Sequence, residues 1–191
     1  MDRSLYYSDQ QVTMISAITG RISARTNPVP VVMVTHEGCL TVECGPYLVT
    51  GQAVFVTAGL PYILHGQGCV RHTIWMDRYP CRLPVGTPPV FALSLRALNA
   101  FADFYSQRTA DPVDELAEAV GLRRPVLTPE IAAITERIDA DSARRLSQLQ
   151  ASRLVDMERT VLLKRFRRET GMTFRSYKNW DGVKSDRKSV V

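Results

Sequence analysis

Residues 146–180 read LSQLQASRLVDMERTVLLKRFRRETGMTFRSYKNW, and the helix signals in this stretch decide how the C-terminal part of the chain folds. Ser147 and Gln150 form an S-x-x-Q capping box, in which each side chain satisfies a backbone donor that the first helical turn leaves open. The short helix that follows runs to Leu154, with Leu149 and Ala151 supplying modest apolar surface. A break at Val155, Asp156 and Met157 separates it from a second helix over residues 158–170. There Leu162 and Phe166 fall on one face, while Arg159, Thr160, Leu163, Lys164 and Arg167 occupy the rest of the surface. Gly171 is placed to end this helix in the left-handed conformation. Thr173 caps a third helix over residues 174–180.

Two short helices, a tight turn and a second helix with basic residues outward make the helix-turn-helix pattern, which many helical hairpins also satisfy. A helix of this kind fits the DNA major groove, where its outward side chains reach base edges and nearby arginines and lysines neutralise phosphates. The charge distribution agrees with such a partner. Residues 1–143 hold 11 lysines and arginines against 14 aspartates and glutamates, a net of −3. Residues 144–191 hold 13 against 5, a net of +8, so the overall +5 belongs to the C-terminal quarter. A basic end on a mildly acidic body suits either a polyanion partner or a solvated helical face.

The run Phe166-Arg167-Arg168-Glu169-Thr170-Gly171-Met172-Thr173-Phe174, followed by Tyr177, resembles the signature that closes the first helix-turn-helix unit of AraC/XylS-type bacterial transcription regulators. Leu146, Ser147 and Ala151 fall in register with the start of that unit, so the resemblance covers about 35 residues. It implies base-reading roles for Thr160, Leu163 and Lys164, with Arg159 beside them, and phosphate contacts for Arg153, Arg167 and Arg168. Leu163 offers apolar contact alone, as to a thymine methyl. The family usually carries glycine where Asp156 stands and a serine-like cap where Glu158 stands. Asp156 then has two available roles: a left-handed turn residue, or the cap of the recognition helix. Family members also carry a second helix-turn-helix unit, which residues 181–191, a polar basic tail, do not encode. The expectation is therefore weakened or dimer-dependent DNA binding.

Before this segment the signals are those of short strands. Residues 29–34 are a compact apolar run, and Leu40, Val42 and Cys44 alternate with Thr41 and Glu43. Residues 47–49, 53–57 and 62–64 follow, separated by Gly51 and by Gly59-Leu60-Pro61, and Val70, His72, Ile74 and Met76 alternate again. Turn signals about every 8–12 residues indicate an antiparallel sandwich or barrel. A proline-rich boundary spans residues 81–89. Beyond it the period becomes helical, and a helix over residues 91–107 carries two apolar rows, Leu93, Ala97, Phe101, Phe104 and Leu95, Leu98, Ala102, Tyr105. Asp111-Pro112 starts a second helix that Gly121 ends, and Thr128-Pro129 opens a third with Ile131, Ile134 and Ile138 as its core stripe.

The fold expected is α+β: an antiparallel, cupin-like β-barrel (1–88) that senses an effector, a helical connector and dimerisation region (89–127), a single helix-turn-helix unit (128–180), and the tail (181–191). The barrel offers His72 and Trp75 as effector-binding candidates. His36 and His65 sit beside turn glycines, where surface histidine is ordinary, and the four cysteines fit reduced, buried thiols without a C-x-x-C pair. Neither the spacing of a metal-binding cupin nor a zinc knuckle appears, so no metal or other cofactor is expected. No nucleophile elbow, phosphate loop or paired-carboxylate pattern marks an enzyme, and catalytic residues are not expected. No apolar run approaches the roughly 20 residues of a membrane span, and the N-terminus lacks signal-peptide features, which makes the cytoplasm the default. The reading is an effector-responsive, sequence-specific DNA-binding regulator, expected as a homodimer with promoter DNA and RNA polymerase as partners. The alternatives are a dimerisation partner of a full-length relative without DNA binding of its own, and a small cupin enzyme.

Overall fold

The computed structural model describes residues 5–8, 12–19, 21–66, 69–77, 79, 83, 86–107, 110–140 and 146–180. The expected tail at 181–191, Arg78 and Cys81 lie outside the described residues. The chain divides into two compact units, residues 1–124 and 125–191.

In the first unit the strands are β1 (Leu5–Ser8), β2 (Thr13–Thr19), β3 (Ile22–Thr26), β4 (Val31–Thr35), β5 (Leu40–Cys44), β6 (Tyr47–Gly51), β7 (Ala53–Val56), β8 (Pro61–His65), β9 (Cys69–Trp75) and β10 (Val90–Ala92). Two helices follow, α1 (Leu95–Gln107) and α2 (Ala110–Ala119). Six strands form one sheet in the order β1-β2-β9-β4-β7-β10, and four form another, β3-β8-β5-β6. Every strand pairing is antiparallel. Together the sheets make the β-barrel-like part of an α+β chain.

Strand parity explains the sequence pattern. In the six-stranded sheet Ile74 lies opposite Met14 and Val32, and His72 opposite Ser16 and Val34. Met14, Val32, Val34, Phe55 and Ile74 on this face share one core with Ala97, Phe101 and Phe104 of α1 and Val113, Leu116 and Ala117 of α2. The alternate residues Arg71, Thr73 and Trp75 take the opposite face, and Arg71 is close enough to Tyr62 of β8 to act on its hydroxyl. Both faces of β4 and β7 are thus covered, which is why each is buried at every position and reads as an unbroken apolar run. In β5 only alternate residues are buried, so its sequence alternates too.

The structure corrects the start of α1. Residues 90–92 form β10, paired with β7 from Val90↔Val56 to Ala92↔Val54, and the helix begins only at Leu95. Phe91 stacks on Phe55 at 4.9 Å, so its apolar surface is spent on a strand neighbour rather than on a helix row. The compact unit therefore extends past residue 88 and takes in β10, α1 and α2, which the sequence reading assigned to a connector. A second correction concerns the cysteines. Cys44 is buried, which pushes its thiol pKa up, but Cys39 follows the residue 36–38 bend and is exposed.

The second unit contains α3 (Pro129–Ala140), α4 (Gln148–Leu154), α5 (Arg159–Thr170) and a last helix, α6, over residues 174–180. Ile131, Ile134 and Ile138 are buried in α3, as their spacing requires. Among the described residues no helix is long and apolar enough to cross a membrane.

Candidate nucleic-acid interface

The interface is built from α4, the turn after it, and α5. Both halves of the capping box on α4 are present: Gln150 N–H donates to Ser147 Oγ at 3.2 Å, and Ser147 N–H to Gln150 Oε1 at 2.8 Å. The helix ends in a paired set of backbone bonds, Met157 N–H to the Ser152 carbonyl at 3.0 Å and Asp156 N–H to that of Arg153 at 3.4 Å. That ending needs a left-handed residue, and Asp156 supplies it with φ +47°. Of the two roles open to Asp156 it takes the turn. Glu158 takes the other, with its carboxylate accepting from Thr160 N–H and Val161 N–H at 2.9 Å each. Those two backbone bonds hold the Glu158 carboxyl below the usual carboxylate range.

Leu162 and Phe166 anchor α5 with no exposed surface. The Phe166 ring meets Phe174 and Tyr177 of α6 edge-on, both with centroids at 5.4 Å. Gly171 closes the helix at φ +73°, and Ser176 N–H donates to Thr173 Oγ1 at 3.1 Å to start α6. A further tie was not legible from local sequence. Thr128, just before α3, donates through both N–H and Oγ1 to Glu169 Oε2 at 2.9 Å. Burial pushes the Glu169 carboxyl up, and the Thr128 bonds with the Arg168 guanidinium more than offset it, so its pKa lies below the usual range.

Opposite the anchored face, Arg159, Thr160 and Lys164 are exposed and Leu163 is half-buried. Arg153 of α4 and Arg167 and Arg168 of α5 are also exposed. Thr160, Lys164 and Arg167, spaced by four and three residues, share one side of the helix. Arg153, Arg159, Lys164 and Arg167 enter no ion pair among the described residues, whereas Arg168 lies 3.3 Å from Glu169 Oε1. Arg165, turned toward α3, pairs with Glu130 at 3.6 Å. Within residues 146–180, 8 lysines and arginines face 3 aspartates and glutamates, a net of +5.

The two barrel candidates separate. Trp75 lies on the face turned to the second sheet, whereas His72 lies beneath α1, with its ring 4.7 Å from Tyr105 and 5.5 Å from Phe101. His72 is buried on the helix-covered face, with Nδ1 bonded to Ser16 Oγ at 2.7 Å. His36, read as an ordinary turn histidine, brings its ring to 4.7 Å from His72. His65 instead meets Glu43 at 3.1 Å on the surface. Among the described residues no group of three histidines, cysteines or carboxylates could hold a metal ion.

No family model matches the sequence, and no curated protein does. Solved structures do. ToxT from Vibrio cholerae aligns over 91% of this chain and 80% of its own, at 9% identity and a TM-score of 0.50. The AraC-like transcriptional activator CuxR aligns over 94% of this chain and 79% of its own, at 13% identity and a TM-score of 0.44. A cupin-2 domain protein from Shewanella frigidimarina aligns over 38% of this chain and 74% of its own, at 13% identity and a TM-score of 0.33. At these identities the likeness to ToxT is one of fold. The fold shared with it is a β-sheet unit followed by a helical unit.

Proposed function

We propose that this chain is a sequence-specific DNA-binding transcription regulator in which α5 enters the major groove and the β unit responds to a small-molecule effector. The observation that carries the reading is the exposed set Arg159, Thr160 and Lys164 on a helix anchored from beneath by Leu162 and Phe166. Such side chains reach base edges when a recognition helix lies in the groove, with Leu163 at the margin for a thymine methyl. Arg153 and Arg167 neutralise phosphate, and Arg168 joins them from its contact with Glu169. For the effector, Trp75 and Thr73 share the face of β9 opposite His72 and offer an indole and a hydroxyl.

Duplexes selected from a random pool, then titrated against salt, test the DNA reading. Arg159→Ala with Lys164→Ala is expected to abolish the preference for the selected site over a scrambled one. Arg153→Ala is expected to weaken both duplexes alike and to lower the slope of log affinity against log salt by about one. A double variant that keeps its preference removes α5 from the recognition role.

A further inference from the structure

We infer that Glu158 is a specificity-determining residue of the DNA interface, one that accepts a hydrogen bond from a cytosine amino group and weakens binding elsewhere. The inference rests on the DNA-binding reading above. Its observation is the carboxylate itself, exposed at the start of α5 and fixed by two backbone donors at 2.9 Å, one to each oxygen. A helix N-terminus leaves N–H groups that ordinarily favour a phosphate oxygen. Here two of them are taken by a side chain of full negative charge, so a DNA phosphate brought to the same place meets repulsion instead. The residues that begin a recognition helix are those that approach base edges.

An ionised carboxylate can only accept, and after the two backbone bonds and the bond from the Thr160 side chain Glu158 keeps one of its four acceptor places open. In the major groove guanine presents N7 and O6, and thymine O4, all acceptors that repel it. Adenine offers its N6 amino group, but N7 sits beside it. Cytosine offers its N4 amino group and presents no acceptor of its own on that edge, and is the base this carboxylate fits. Asp156, the nearest other acid in the sequence, lies in the preceding turn, and Arg167 on the same helix and Arg153 on α4 supply the cations that hold the backbone. Glu158 therefore opposes the general attraction of this basic surface and relaxes that opposition at one base pair.

The test uses the full chain as wild type, Glu158→Ser and Glu158→Gln, each selecting from a random duplex pool. Serine also caps helices, so Glu158→Ser is expected to fold, and an unchanged circular dichroism spectrum verifies it. Wild type is expected to fix a cytosine at one position of its site. Glu158→Ser should lose that position alone and bind unrelated duplex roughly threefold to tenfold more tightly, with a salt slope steeper by about one. Glu158→Gln should shift the position toward adenine, the base an amide pairs with. If wild type selects a site in which neither variant changes any position, and unrelated duplex binds equally, the inference falls and the DNA reading stands. If neither wild type nor Glu158→Ser retains duplex at low salt, both fall. Binding gained only in Glu158→Ser supports the inference directly.

Discussion

The turn between α4 and α5 makes its strongest demand on Asp156, and that demand is measurable. The residue is exposed and sits at φ +47°, so substitution there changes backbone preference and little else. The chain provides its own comparison at the end of α2. Gly121, at φ +79°, occupies the same place in the same ending, with Leu122 N–H on the Ala117 carbonyl at 2.8 Å and Gly121 N–H on that of Glu118 at 2.9 Å. Left-handed backbone costs an ordinary L-residue roughly 1–2 kcal/mol, aspartate less, and a β-branched residue the most. Asp156→Val should therefore destabilise the second unit by about 1–2 kcal/mol. Asp156→Gly should stay within about 0.5 kcal/mol, because relief of strain is offset by the greater freedom of glycine in the unfolded chain. For a unit of this size 1 kcal/mol is about 4–8 °C, so valine should lower its melting temperature by roughly 5–15 °C. Thermal unfolding followed at 222 nm, with hydrogen exchange of the α5 amides to assign the transition, measures both. A valine variant that melts with wild type, or a glycine variant that melts below valine, refutes the strain argument.

Phe166→Ala removes a fully buried ring and two edge-to-face contacts, and should destabilise the second unit by about 3–5 kcal/mol, seen as loss of its unfolding transition while the first unit's persists. Glu169 is held below its ordinary value of 4.5, so its stabilisation is present above that pH and is lost as pH falls through the lower, folded-state value. Glu169→Gln should accordingly flatten the acid side of the second unit's stability profile and lower the plateau at neutral pH. His72 is pushed down to about 4, first by burial and then by the nearby His36. Unfolded, it takes a proton near pH 6.5, so the first unit should lose up to about 3 kcal/mol as pH falls from 6.5 to 4, and His72→Gln should remove that dependence in urea titrations.

Much of this architecture is legible in the sequence because the signals involved are local. Ser147 with Gln150, Gly171 and Thr173 each act on a backbone group within a few residues, and each does in the structure what its residue type favours. The alternation in β5 is legible for the same reason: one face packs and the other meets solvent. Residues 90–92 failed the local test because their partner strand, β7, lies more than thirty residues earlier, and that pairing outweighs the helical rhythm beginning just after them. The setting of His72 is legible only in part. Its parity with Ile74 was readable, but which face of the strand looks toward the second sheet depends on where α1 lies.

The same distinction sorts the candidate interface. That Lys164 and Thr160 share a side of α5 follows from helical period alone, and so does their separation from Leu162 and Phe166. The orientation of α5 does not follow from its own residues. It is fixed by Phe174 and Tyr177 behind it and by the Glu169 carboxylate on Thr128, contacts between positions up to 41 residues apart. Glu158 lies between these cases. Its reach to two backbone donors is local, yet a glutamate before a helix ordinarily reads as one more first-turn acid. Only the geometry shows both of its oxygens engaged, and that engagement gives a surface charge a fixed position at the start of α5.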